Sequence, residues 1–139
     1  MAASKISIST DVSKLNVTLI HEFLTHSYWA QGRTKEEVLK SIKHSLNFGV
    51  YLENGQQIGF ARVLTDYTVF GYLMDVFILE AFRGKGYSKE LLSTIFAHQE
   101  LQDVQRWMLG TQDAHGLYEQ FGFETIKDLT KLMGKLKTL

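Results

Sequence analysis

The stretch that most narrows the possible folds is an almost unbroken apolar segment, Val69 to Leu79, that runs through Glu80-Ala81-Phe82-Arg83-Gly84-Lys85-Gly86-Tyr87-Ser88 into a helical pattern. The longest uninterrupted apolar run inside it, Val76 to Leu79, is far below membrane-spanning length. The segment therefore reads as a strand, expected to lie centrally in a sheet with both faces covered. From Lys89 to His98 the residues Leu91, Leu92, Ile95 and Phe96 share one face at helical spacing. Strand, glycine loop and helix thus follow one another directly.

The charges in this loop run against helix electrostatics. A helix N-terminus carries unsatisfied N–H groups and a partial positive charge, so a basic residue there costs roughly 0.3–1 kcal/mol. Yet Arg83, Lys85 and Lys89 crowd this one, while Gly84 and Gly86 permit positive φ or a close ligand approach. A bound anion would convert three unfavourable charges into partners and satisfy the amides. The loop reads as a phosphate or pyrophosphate site; the alternative is a solvated tight turn. A Walker loop requires Gly-Lys-Ser/Thr, whereas Tyr87 follows Gly86, and a dinucleotide fingerprint requires a third glycine, where Lys89 stands.

Composition excludes several other classes. Lys plus Arg and Asp plus Glu number 15 each, so no summed positive field favours nucleic acid or an anionic membrane. There is no cysteine, which removes disulfides, thiolate metal sites and a cysteine nucleophile. The five histidines are dispersed without metal-ligand spacing, so no metal is expected. The N-terminus MAASKISIST has no apolar signal core, and the expected location is cytoplasmic. The length of 139 residues fits one domain, 1–139.

The remaining pattern is mixed. Lys5 to Ser9 alternates as a short strand, and Thr10 and Asp11 offer a cap for a helix from Val12 to about Ser27, with Leu15, Leu19, Ile20, Phe23 and Leu24 on its apolar face. Thr34 followed by Glu37 is a capping box for a second helix bearing Val38, Leu39, Ile42 and Leu46. Phe48 to Leu52 and Ile58 to Leu64 read as a hairpin about Asn54-Gly55, with a type I′ turn. Trp107 to Thr111 is a further strand and Ala114 to Gln120 a short helix stopped by Gly122. Phe123 to Ile126 and Lys131 to Leu136 are two weak strands, with Lys127, Lys131, Lys135 and Lys137 solubilising an edge.

Arg83-Gly84-Lys85-Gly86-Tyr87-Ser88 resembles the signature of the GNAT superfamily of acetyl-CoA-dependent N-acyltransferases: Arg or Gln, two residues, Gly, one residue, Gly or Ala. Ser88 departs at the last place, and Glu80 replaces a proline usual in the family. Ala114-His115-Gly116-Leu117-Tyr118-Glu119-Gln120-Phe121-Gly122-Phe123 resembles the family's second motif, Ala-x-x-x-Tyr-Glu-x-x-Gly-Phe. The resemblance implies an α/β (α+β) fold, with a mixed, mostly antiparallel twisted sheet of six to seven strands flanked by about four helices and splayed between the fourth and fifth strands. It implies acetyl-CoA bound by Val76, Phe77, Ile78, Arg83, Gly84, Lys85, Gly86, Tyr87, Ser88 and Lys89, and a small-molecule or peptide amine as acceptor. Tyr118 is implied to lie near the thioester sulfur; packing beside Phe121 and Phe123 is the alternative. Tyr28, Trp29 and Arg33 match the region lining the acceptor pocket, a core or interface tryptophan being the alternative. Thr111 stands where many members carry an asparagine. Dimerisation is common in the family, so a homodimer is compatible with the resemblance.

No general base stands out. Strand alternation would put Tyr72, Met74, Val76 and Ile78 on one face and Asp75 on the other. Asp75, Glu80, Asp66 and His26 are the candidates to act through a water. The rival class is a non-catalytic CoA or acyl-CoA binding module acting through protein contacts, and a nucleotide-phosphate binder of another fold is a third reading.

Overall fold

Chain order and spatial order coincide across the sheet of the computed structural model, which describes residues 5–137. The strands β1 (Ile6–Ser9), β2 (Leu46–Leu52), β3 (Gln57–Thr65) and β4 (Phe70–Ile78) are successive antiparallel neighbours, and β5 (Arg106–Leu109) lies parallel to β4. The helices α1 (Val17–Thr25) and α2 (Lys35–Lys43) connect β1 to β2, α3 (Tyr87–Ala97) crosses from β4 to β5, and α4 (His115–Glu119) follows β5. Ile20 and Leu24 of α1 and Val38 and Ile42 of α2 pack with Phe60 and Phe77 on one face. Leu91, Leu92 and Ile95 of α3 pack with Phe48, Ile58, Val63 and Leu73 on the other, where Tyr118 of α4 joins them.

The strands covered on both faces are β2, buried at every position from Asn47 to Tyr51, and β3, buried from Gln57 to Val63, rather than β4 as its apolar composition suggested. β4 lies next to the sheet edge and alternates between buried and half-buried positions. Its neighbour β5 is four residues long, so part of β4 borders a cavity.

The sheet has five strands, not six or seven. Residues 124–137 are exposed and pair with no strand, so neither Phe123–Ile126 nor Lys131–Leu136 forms one. The physical cause is local competition: the Asp128 carboxylate accepts from the amide and hydroxyl of Thr130, and the Leu132 amide donates to the Leu129 carbonyl. The four C-terminal lysines therefore solubilise an irregular arm.

Smaller differences have similarly local causes. The helix expected from Val12 begins as a 3-10 turn, Val12–Lys14, capped by Asp11, and restarts as α1 where Asn16 accepts from the Leu19 amide. Leu46 opens β2 instead of extending α2, and Leu39 is about half exposed. In the β2–β3 turn only Gly55 has positive φ and its amide donates to the Leu52 carbonyl, so the turn is of type I with a glycine bulge, not type I′. The Thr34 and Glu37 capping box forms as read.

Candidate active site

One extra residue in β4 shapes the site. Phe77 pairs with Phe60 and Met74 with Arg62, so Asp75 and Val76 together oppose Ala61. This is a β-bulge, with Asp75 at φ 56°, a conformation costing a non-glycine residue of order 1–3 kcal/mol. The bulge breaks the alternation assumed from sequence. Asp75 joins Met74 on the face of Arg62, whereas Val76 and Ile78 belong to the α3 face with Leu73. The buried Asp75 carboxylate, with its residue 3% exposed, compensates for the backbone cost by gathering three donors. Trp29 Nε1 donates at 3.0 Å, Arg33 Nη1 at 2.7 Å and Arg62 Nε at 3.0 Å. The segment between α1 and α2 is thereby anchored to the sheet.

Beyond the pair Leu73 and Leu109 the two parallel strands no longer bond, while β4 runs on to Ile78. The splay expected between the fourth and fifth strands is therefore present, and the β5-facing backbone edge of residues 74–78 has no strand against it. A cavity of about 910 Å³ fills the wedge. Met74 to Ile78 form one wall, Gly110 to Ala114 and Tyr118 another, and Tyr28, Trp29 and Arg33 a third, with Arg83 and Ser88 also on the lining.

At the cavity's loop end, Gly84 and Gly86 adopt φ of 79° and 81°, and Gly86 is the N-cap of α3 with no side-chain cap bond. The amides of residues 84–89 find no acceptor among the described residues; the next, that of Glu90, returns to the Gly86 carbonyl. Arg83 Nε donates to the Ile78 carbonyl at 2.9 Å, tying the loop to the end of β4. Lys85 and Lys89 are exposed beside these amides, and Tyr87 packs into the α3 core. Successive free N–H groups, glycines in the left-handed region and three cations are a donor set that fits a diphosphate. The residues present thus suit the coenzyme that the loop's sequence implied.

Tyr118 lies on the same lining. Its residue is 9% exposed and its ring meets Phe123 edge-on at 6.0 Å between centroids. Burial, with smaller contributions from Tyr28 and Asp113, pushes the phenol up to about 12. It makes no hydrogen bond to the described residues and borders the cavity. The Thr111 hydroxyl accepts from the Ala114 amide at 3.0 Å, fixing the start of α4. Tyr28 is largely exposed, but its hydroxyl accepts from the Gln112 amide at 3.2 Å and so bridges two walls. Among the described residues no group of three or more His, Asp or Glu could hold a metal ion, and no helix is long and apolar enough to cross a membrane.

The four base candidates are dispersed. Asp75 is sealed by its three donors. Asp66 accepts from the amides of Thr68, Val69 and Phe70, which hold its carboxyl below the usual range, in a turn away from the cavity. Glu80 and His26 are likewise absent from the cavity wall, His26 Nδ1 lying 2.8 Å from the Glu22 carbonyl. Besides Asp75, whose oxygens are taken up by its three donors, the cavity wall carries one further carboxylate, Asp113, which was not among the four candidates. Its position one residue before the second motif was the available signal.

Comparison with known proteins agrees with this geometry. Residues 44–125, more than half of the chain, match the family model for the acetyltransferase (GNAT) domain. A crystal structure from Xanthomonas campestris pv. campestris, provisionally named an acetyltransferase of the GNAT family, is 42% identical with a TM-score of 0.92, covering 98% of this chain and 96% of that one. A protein of Gibberella zeae provisionally named an acetyltransferase is 27% identical, covering 91% of this chain and 84% of its own length. A Deinococcus radiodurans structure with the same kind of name shares the fold, with a TM-score of 0.72 at 19% identity over 90% of this chain and 86% of that one. With the family model matched and the glycine loop, splay and tyrosine in one cavity, the chain belongs to the GNAT acetyltransferase family and is an acyltransferase.

Proposed function

We propose that the protein transfers the acetyl group of acetyl-CoA to a primary amine by direct attack within a ternary complex. The observation that carries this reading is the run of free amides at residues 84–89, in a loop whose Arg83 and Ser88 line the same cavity as Tyr118. The loop amides, Arg83 and Lys89 would hold the diphosphate, and Val76 to Ile78 would border the arm that leads inward. Acetyl-CoA supplies an activated acyl thioester, so the chain's own task is to position, to stabilise charge and to manage protons.

Backbone N–H groups along the open edge of residues 74–78 are the donors available to a developing oxyanion, and they are preorganised because the strand is fixed on its β3 side. Tyr118 is neutral throughout the physiological range and donates a hydrogen bond or proton to the departing thiolate. An alkylamine with a lysine-like pKa of about 10.4 is only about one part in 10³ neutral at pH 7, a deficit of roughly 4–5 kcal/mol. Asp75 does not relieve this deficit, because receiving a proton would break up the anchor it makes with Trp29, Arg33 and Arg62.

Calorimetry with CoA and a thiol-release assay with a panel of amines test the proposal together. Heat of binding with amine-dependent release is the expected pair of results. Binding without release from any amine would favour a CoA-binding module, and absence of binding would remove both readings.

A further inference from the structure

We propose that the amine acceptor carries an anionic group of its own, a carboxylate or phosphate, which Arg33 holds while Asp113 faces the ammonium. This rests on the acetyl-transfer reading and adds the substrate class.

The cavity wall carries uncompensated charge. Two guanidiniums share the single carboxylate of Asp75. Every nitrogen of Arg62 is engaged away from the cavity: its Nε is on Asp75, its Nη1 donates to Ser45 Oγ at 2.9 Å, its Nη2 approaches the Met74 sulfur at 3.0 Å, and it does not line the cavity. Arg33 commits only Nη1. Its Nε and Nη2 have no partner among the described residues, its side chain is 19% exposed, and it borders the cavity. One carboxylate balances one guanidinium, so the surplus positive charge is presented to the cavity by Arg33. Glu37 lies within electrostatic reach of Arg33, but its carboxylate accepts from the Thr34 amide and is shared with Lys137, off the cavity wall. The cavity's other arginine, Arg83, belongs to the glycine loop.

Asp113 supplies the opposite charge. It lines the same cavity and has no hydrogen-bond or ion-pair partner among the described residues. The bond from the Gln112 amide to the Tyr28 hydroxyl joins the segment bearing Asp113 to the one bearing Arg33, and both charges line the one cavity. An acceptor with both an ammonium and an anion complements this pair. A diamine would place its second ammonium against Arg33.

The test is thiol release from acetyl-CoA with matched amines: glycine against glycinamide, 2-aminoethyl phosphate against ethanolamine, and 1,4-diaminobutane. The expected result is that the anionic member of at least one pair exceeds its neutral partner in kcat/KM by about tenfold or more, the diamine being slowest. The winning pair distinguishes carboxylate from phosphate. Arg33→Gln should bring that ratio to near one through KM, and Arg33→Lys should restore part of it. The Arg62–Asp75 pair remains balanced in both variants, and thermal unfolding checks that they fold. Neutral amines or the diamine reacting as fast as the anionic ones, or a ratio indifferent to Arg33→Gln, would overturn the inference. If CoA binds but no amine reacts, acetyl transfer fails separately. The inference is then decided by whether glycine or 2-aminoethyl phosphate raises the Tm of the CoA-bound protein more than its neutral partner does, and whether Arg33→Gln abolishes that difference.

Discussion

At the residue scale, Tyr118 carries the sharpest expectations. Replacing it by Phe keeps the ring that packs on Phe123 and removes only the hydroxyl, so kcat should fall about 10²-fold while the Kd for CoA stays within a factor of two. Steady-state kinetics beside calorimetry would show it, and an unchanged kcat would reject the assignment. The raised phenol also makes a stability prediction. Since the folded state keeps the proton to about pH 12 and the unfolded chain releases it near 10, the contribution is complete below pH 10. It drains away as pH rises from 10 through 12, on the order of 3 kcal/mol in all. Denaturant titrations across that range should show wild type losing stability that Tyr118→Phe retains. That Tyr118 and Arg83 line one cavity agrees with the two sequence motifs that singled them out. The role of Asp75 was not legible in the sequence, because nothing in a local pattern announces a bulge or reveals that Trp29, Arg33 and Arg62 converge from three separate segments.

At the scale of elements, capping chemistry was the most readable signal. The Thr34 hydroxyl accepts from the Glu37 amide, and the Glu37 carboxylate accepts from the Thr34 amide, which holds its carboxyl below the usual range. Thr34→Ala should therefore cost about 1 kcal/mol, measured by urea unfolding at constant m value. The sign with pH follows from the lowered carboxyl: the capping contribution is present above the ordinary glutamate range and is lost as pH falls through the folded pKa. The advantage of wild type over Glu37→Ala, which removes that carboxylate, should thus shrink in acid. The helix restart at Asn16 was harder to read, since it depends partly on Gln57 of β3, whose side-chain oxygen accepts from the Asn16 amide at 2.7 Å. A partner 41 residues away leaves no trace in local periodicity. The C-terminal strands failed for the opposite reason. Their alternating side chains suited a sheet, but turns seeded by Asp128 and Leu129 satisfy the backbone locally.

At the scale of the whole molecule, the sheet accommodates the cavity by where it stops pairing. Gly59 shows how tight the closed side is: a Cβ there would sit 2.7 Å from Ile78 Cδ1 and 2.9 Å from the Phe77 carbonyl, so β3 and β4 are in contact behind the cavity's floor. The open side has no such constraint. Counting along β4, Asp75 is a supernumerary residue: Leu73, Val76 and Ile78 face α3, while Met74 and Phe77 face the other layer, and excising Asp75 leaves that two-beat rhythm whole. The carboxylate is thus an insert that interrupts no packing. Its excision together with Arg62→Leu, which removes the more deeply buried of the two cations left without their carboxylate, should give a chain that still melts cooperatively. With the kink ironed out, β5 could zip further along β4, and CoA affinity should drop at least about tenfold by calorimetry. A crevice wide enough for chemistry would then owe its existence to a single spare link in the chain.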